Sequence, residues 1–364
     1  MSGNHNPVKP ALNPITPSAD TTLNHTVRRF LWRSLGLIVL LALAVVLLAA
    51  LIGTGNDLGT ILSIFSTRFL GIFIEAMPFL LLGTLVSGVI DSFLTPDDIA
   101  RVVPRNPFLA TLVGALMGFA FPVCECGVVP VVRRLFNKGL PMWVGVTFLL
   151  AAPVMNPVVL VSTYVAFGFG PVWIGRVGLT LVVAIGVGLV FALGAKPQEV
   201  LRSRSFLPVM GGSGEIIAPP IITPRKPFFA GMHDALIQAG NEFFEMGRYL
   251  IIGSLLAAGM QTLVSQDVLL ALGRGPVISV LVMQALAFLL SVCSTVDAFL
   301  ALAFVGTFTT GSIITFLTFG PMVDIKSTLM FLGVFKRRTV LYLILLPLLM
   351  TLLAGVWLNL NIAF

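Results

Sequence analysis

The motif FIEAM at residues 73–77, followed by GTL at 83–85, returns later in the chain as FFEMG at 243–247, followed by GSL at 253–255. Order and spacing are kept, so the chain contains two copies of one unit. Internal duplication in an apolar chain is typical of secondary transporters, whose substrate site lies where the two copies meet. The duplication therefore predicts both an architecture and a place to look for function.

The duplication continues through polar and sulfur-containing positions. Cys124 is matched by Cys293, and FLLAAP at residues 148–153 is matched by FLTFGP at 316–321. Asn156 and Asp324 then follow the two prolines at equal distances. A membrane interior normally excludes such polar residues, so we expect them to carry function.

The composition predicts an all-α polytopic membrane protein, because 57% of residues are hydrophobic, 10% are charged and the mean hydropathy is +1.03. A membrane core of about 30 Å needs long apolar runs. Such runs lie at residues 34–53, 69–91, 142–166, 177–195, 247–264, 312–333 and 340–362. Residues 107–131 and 277–305 are apolar but interrupted.

The distribution of Lys and Arg separates two membrane topologies. Nine crossings would spread the basic residues evenly over both sides, against the positive-inside bias. If 107–138 and 277–305 instead enter and leave on one side, only Arg68, Arg176 and Arg274 remain outside. We therefore predict seven crossings, two re-entrant hairpins, a cytoplasmic N-terminus and a second repeat inverted relative to the first.

Helix-breaking residues support this arrangement. FPVCECG at residues 121–127 supplies the Pro and Gly of a hairpin tip, whereas SVCST at 291–295 contains neither. Pro153 and Pro321 lie near the middle of two predicted crossings, so both helices should break there and line a cavity. The predicted organisation is a disordered tail at 1–28, an additional transmembrane helix at 29–56, repeat 1 at 57–195, an inside linker at 196–240 and repeat 2 at 241–364.

All three cysteines of the chain, Cys124, Cys126 and Cys293, fall at the two predicted hairpin tips. Thiolates prefer soft partners such as Cu(I), zinc-group metals and trivalent arsenicals, so we predict that these cysteines bind substrate or metal. Two alternatives stay open. The cysteines can simply pack as small apolar residues, or Cys124 and Cys126 can form a strained redox disulfide.

Charged residues in apolar segments are candidates for proton or ion coupling, since each costs about 2.5–3.5 kcal/mol at a helix centre on insertion scales. These candidates are Glu75, Glu125, Glu245, Asp297 and Lys326. For Glu75 and Glu245 the alternative is packing near the end of a crossing. For Lys326 it is an ion pair that neutralises the nearby Asp324.

Asn156 and Asp324 stand beside the two predicted breaks, where exposed helix ends bind ions and polar groups. We therefore predict that both bind substrate. Local capping of the broken helices is the alternative.

Several function classes are disfavoured. The chain has no G-x-x-x-x-G-K-[ST] motif and no Ser/His/Asp constellation, so we predict no enzyme activity and no cofactor. The net charge is +7, but the basic residues do not form a face in which they alternate with aromatic residues. We therefore predict no nucleic-acid partner. The expected partners are the lipid bilayer and a small-molecule or ion substrate, with a homo-oligomer or a partner subunit left open.

The motifs FPVCECGVVP at 121–130, APVMNP at 152–157 and CSTVDAF at 293–299 resemble the predicted permease family that includes YraQ and the ArsP organoarsenical efflux permeases. The resemblance covers roughly residues 60–362. It implies an inner-membrane permease and, for the ArsP branch, export of trivalent organoarsenicals with thiols as ligands.

The leading functional prediction is a secondary transporter that binds a small soft ligand, a trivalent arsenical or a soft metal ion, between two inverted hairpins. One alternative is a membrane thiol oxidoreductase that uses Cys124 and Cys126. Another is a membrane subunit of a larger transport complex.

Overall fold

A computed structural model describes residues 58–104, 106–120, 124–194, 228–263 and 275–361, which are almost entirely helical. The predicted all-α fold is confirmed for these residues. The first half contains α1 (Leu58–Phe93), α2 (Pro96–Val102), α3 (Pro107–Ala120), α4 (Glu125–Asn137), α5 (Met142–Met155), α6 (Pro157–Phe167) and α7 (Pro171–Gly194). The second contains α8 (Phe228–Leu263), α9 (Ile278–Leu290), α10 (Asp297–Leu302), α11 (Thr310–Met322), α12 (Ile325–Val334) and α13 (Arg337–Asn361).

Both halves use the same order of elements. Each begins with a helix of 36 residues, α1 or α8, and continues with an interrupted hairpin, a broken helix and a final helix. In the first half α5 packs between α3 and α7, and in the second half α11 packs between α9 and α13. The two long helices, α1 and α8, pack extensively against each other and join the halves.

The contacts inside the halves are also repeated. In the first half Gly188 of α7 leaves no space for a Cβ beside the hydroxyl of Thr147, and in the second half Gly355 of α13 is pressed against Thr315 in the same way. Each threonine hydroxyl donates to the backbone carbonyl one turn earlier, at 2.8 Å. The duplication seen in the sequence is thus a duplication of packing.

The described residues contain five spans that are long and apolar enough to cross a membrane, with α11 and α12 together counted as one span, or six if the bent pair α5–α6 also counts as one. These match the predicted crossings from 69–91 onward. The shorter helices α3 and α9, at 14 and 13 residues, reach only about 20 Å at 1.5 Å per residue, which is too short to cross. This agrees with the predicted hairpins.

The breaks fall where the prolines predicted them. Helix α5 contains Pro153 and ends at Met155, and Asn156 then caps α6 after a bend of 41°. Helix α11 contains Pro321 and ends at Met322, so that α12 starts after Asp324. Each break leaves helix ends that must bond to side chains or ligands.

The second hairpin turns without Pro or Gly. Ser291 adopts a left-handed conformation with φ 50° and ψ 42°, and this ends α9. Such a conformation is uncommon for a residue with a side chain and is found where surrounding contacts enforce it.

Some predicted segments lie outside the described residues. These are the tail at 1–28, the additional helix at 29–56 and most of the linker. Helix α8 begins at Phe228, so residues 228–240 of the predicted linker are helical.

Candidate functional site

Buried charged residues gather where the hairpin of one half meets the broken helix of the other. Helix α4, which starts at the first hairpin tip, packs against α12 behind the second break. Helix α10, which follows the second tip, packs against α6 behind the first break. Each half therefore contributes one hairpin tip and one helix break to the region where the halves meet. We call this region the junction, and its charged residues are Glu125, Arg176, Asp297, Asp324 and Lys326.

At the first of these contacts, Lys326 is shared between two carboxylates. Its Nζ lies 3.6 Å from Oε1 of Glu125 and 3.6 Å from Oδ2 of Asp324. No more than 4% of any of these three side chains is exposed. The group ties the first hairpin to the second repeat.

Asp324 is held by hydrogen bonds as well as by charge. The backbone N–H of Ser327 donates to its Oδ1 at 2.6 Å, and the hydroxyl of Ser291 donates to its Oδ2 at 2.5 Å. Asp324 therefore caps α12 and pairs with Lys326, so both of the structural roles considered for it are present. Its bond to Ser291 also connects the second break to the left-handed turn that ends α9.

The second contact is a tight ion pair between Arg176 and Asp297. Their N–O distances are 3.0 Å for Nη1 to Oδ1 and 2.7 Å for Nη2 to Oδ2. Nη1 of Arg176 also donates to the hydroxyl of Thr163 in α6 at 2.7 Å. Arg176 is completely buried, so this bidentate pair fixes the start of α10 against the first repeat.

The two contacts follow one rule, because each hairpin carries a carboxylate that pairs with a basic residue of the other repeat. The sequence interpretation missed this for Arg176, which it counted as a charge outside the membrane. The structure shows that Arg176 is a buried residue of α7 with a partner in the second repeat. The signal was available, because Arg176 is the one charged residue in the apolar stretch 171–194.

The three cysteines are free and buried. Cys124 precedes the first residue of α4, and its thiol interacts with that of Cys126. Cys293, in the turn before α10, accepts a hydrogen bond from the Thr295 hydroxyl at 3.5 Å and lies close enough to Cys124 and Glu125 to interact with both electrostatically. Within the part of the chain that the structure describes, no group of three or more His, Cys, Asp or Glu side chains is arranged to hold a metal ion.

Two glycines bring helices against this junction. A Cβ on Gly83 of α1 would collide with the backbone of Gly127, directly after the first tip. The equivalent Gly253 of α8 would place a Cβ 3.0 Å from Cα of Lys326. Glycine has no Cβ, so it lets the backbones approach this closely. The repeated glycines therefore allow α1 to pack against the first hairpin and α8 to pack against the backbone of Lys326.

The other predicted site residues lie around this centre. The Oδ1 atom of Asn156 accepts from the N–H of Val158 at 3.0 Å, so Asn156 caps α6. Glu245 of α8 pairs with Arg133 of α4 at 2.9 Å and stays partly exposed. Glu75 is half-buried in α1 and takes part in none of the ion pairs that the structure describes.

A further buried acid, Glu242, was not among the sequence candidates. Its Oε2 accepts from the Ser87 hydroxyl at 2.6 Å and lies 3.5 Å from Nε of Arg134. These residues come from α8, α1 and α4 respectively. Glu242 lies among polar residues and before the apolar run 247–264, so nothing in the sequence clearly marked it.

Comparison with known proteins places this arrangement in a family. A family model described as a predicted permease matches residues 58–360. The chain belongs to this permease family. The match includes every charged and sulfur-containing residue of the junction, so the protein is a multi-pass membrane permease rather than a chain with an isolated motif.

The permease also resembles individual proteins. It is 46% identical to YcgR of Bacillus subtilis over 277 residues, which are 76% of this chain and 90% of YcgR. It is 39% identical over 275 residues to a Streptococcus mutans protein named as a subunit of a two-component membrane permease complex, covering 75% of this chain and 87% of that protein. A shorter match to YraQ of Escherichia coli is 29% identical over 105 residues, 29% of this chain and 30% of YraQ. No solved structure matches the chain.

Proposed function

We propose that this permease is a secondary transporter that exports trivalent arsenicals, which it binds between the two hairpin tips. The observation that carries the proposal is the burial of all three free thiols at the two hairpin tips, with Cys293 of the second repeat within electrostatic range of Cys124 of the first. An arsenical bound by Cys124 and Cys126 at the first tip then lies against the second tip, so it contacts both repeats. Rocking of one repeat against the other then exposes it to one side of the membrane or the other.

The neighbouring thiols of Cys124 and Cys126 favour an arsenical over a metal ion. A monosubstituted arsenical with two As–OH groups forms an As–S bond with each thiol, and each bond releases one water molecule. It therefore needs two thiols only, whereas a soft metal ion generally takes more protein ligands. The described residues hold no ready group of three such ligands.

Everted membrane vesicles incubated with phenylarsenous acid test the proposal, with the arsenic taken up by the vesicles measured by mass spectrometry. The Cys124→Ser/Cys126→Ser double variant should lose uptake at unchanged protein level. Ser294→Ala is a matched control, because Ser294 is buried beside Cys293 and its hydroxyl has no partner. Wild-type uptake by the double variant would remove the thiols from the binding site.

The proposal includes an inner-membrane location, a cytoplasmic N-terminus and an inverted second repeat. The distribution of Lys and Arg supports this topology, and it does so more clearly once Arg176 is assigned to the buried pair with Asp297. The shared order of elements in the two halves is what an inverted-repeat transporter requires.

A second candidate is a membrane subunit that transports only with a partner protein. It is favoured by the name of the Streptococcus mutans relative, which describes a two-component complex. Reconstitution of the purified protein alone distinguishes the two candidates. Export by cells without transport by proteoliposomes would favour the partner subunit. Thiol oxidoreductase activity has less support, because all three cysteines are buried and exchange with a partner requires access.

A further inference from the structure

The group formed by Glu125, Asp324 and Lys326 carries two carboxylates and a single ammonium. The group is buried, with side-chain exposures of 4% or less. The charged and titratable groups that face Glu125 are Lys326 and Asp324 from α12, Cys293 from the turn before α10, and its neighbours Cys124 and Cys126. Lys326 is the one cation among them. A buried charge without compensation is unfavourable, so the group takes up one more positive charge.

Hydrogen bonding identifies the atom that receives this charge. Both carboxylate oxygens of Asp324 already accept hydrogen bonds, from Ser327 and from Ser291. Glu125 differs, because its Oε1 faces Lys326 whereas its Oε2 is buried without any partner. The open acceptor of the group is therefore Oε2 of Glu125.

A proton fits this position better than a metal cation. The ammonium of Lys326 lies 3.6 Å from the same carboxylate and repels a second cation nearby. A metal ion also needs several ligands, and the described residues provide no group of three acidic, His or Cys side chains for it. A proton requires only the one oxygen.

On the basis of the proposed transport function, we infer that Glu125 is the proton-binding residue of the transport cycle and that Lys326 is its switch. When Glu125 is ionised, its pair with Lys326 ties the first hairpin to α12. When Glu125 takes up a proton, Lys326 remains with Asp324 and the tie is released. The proton enters or leaves where opening of the tip admits water, which couples its movement to the rocking of the repeats.

Asp297 has a different role, although it was an equal candidate in the sequence. Two hydrogen bonds from Arg176 hold its carboxylate, and its single charge is matched by one guanidinium. The pair is neutral as it stands. Asp297 therefore stays ionised and anchors the second hairpin, so the exchangeable proton belongs to the first hairpin alone.

Infrared difference spectroscopy of the purified permease in lipid nanodiscs tests this assignment, because a protonated carboxyl and an ionised carboxylate absorb in separate bands. The titration needs no substrate, so its outcome is independent of whether arsenicals are transported. We expect the wild type to show a protonated-carboxyl band that disappears in alkali and is absent from Glu125→Gln. Glu245→Gln, a matched change at a partly exposed acid, should leave the band in place.

A second variant keeps the test decisive if Glu125→Gln does not fold. Lys326→Gln removes the only cation of the group, so both carboxylates should then be protonated and the band should grow about twofold, by the same charge-balance argument. A band of wild-type size in Glu125→Gln, or an unchanged band in Lys326→Gln, would overturn the assignment.

Discussion

Arg176 in the last helix of the first repeat and Asp297 in the second hairpin form a buried bidentate ion pair, with N–O distances of 3.0 and 2.7 Å. The two residues are far apart in sequence and belong to different copies of the repeat. Thr163 accepts a further hydrogen bond from the same guanidinium. The pair therefore anchors α10, a short helix of six residues, to the first repeat.

The first prediction concerns this pair. Arg176→Met leaves the Asp297 carboxylate buried without a partner, so it should destabilise the protein by about 3–5 kcal/mol. The double variant Arg176→Met/Asp297→Leu leaves no charge behind and should recover most of that loss. Thermal unfolding of the detergent-purified proteins measures both. A double variant as unstable as the single one would show that the pair does more than balance charge.

The second prediction concerns the close approach of α1 to the first hairpin. Gly83→Ala forces α1 away from the backbone of Gly127, so we expect a loss of about 1–3 kcal/mol, as for other overpacked interiors. Gly71→Ala is the matched control, because Gly71 lies in the same helix and nothing stands within 4 Å of its added Cβ. Size-exclusion profiles of fluorescent fusions report the folded fraction. Equal profiles for the two variants would contradict the packing argument.

Much of the fold was predictable because membrane insertion leaves strong local signals. Apolar runs predicted the spans. Pro153 and Pro321 predicted the two helix breaks, because proline removes a backbone hydrogen-bond donor. The repeated motifs gave the shared order of elements. Each of these signals is carried by neighbouring residues, which is why the sequence alone sufficed.

The partners within the site were not predictable in the same way. The sequence marked Glu125, Asp297 and Lys326 as unusual, but which charge meets which depends on how the two repeats dock. Arg176 was not recognised as a site residue because a single arginine near the start of a helix is equally typical of a loop at the membrane surface. The sequence predicted the turn at Ser291 only weakly, because contacts impose its left-handed backbone and neither Pro nor Gly marks it.

The third prediction separates capping from substrate binding at Asn156. Serine is a good N-cap, whereas alanine is not, so Asn156→Ala should lose about 1 kcal/mol of stability and Asn156→Ser should lose little. If Asn156 only caps α6, Asn156→Ser should also export phenylarsenous acid at the wild-type rate. Loss of export by this variant at unchanged stability would instead make Asn156 a substrate ligand.

The fourth prediction tests whether the two halves are inverted. Phe169, in the turn between α6 and α7, and Arg337, at the start of α13, occupy equivalent positions of the two copies, and both are exposed. Inversion places Phe169 outside and Arg337 inside. The native cysteines are buried, so they should contribute little background labelling. A membrane-impermeant maleimide added to intact spheroplasts should label Phe169→Cys and should label Arg337→Cys only after lysis. Equal labelling of the two variants before lysis would mean that the two copies have the same orientation in the membrane. That result would contradict transport by rocking of one inverted repeat against the other.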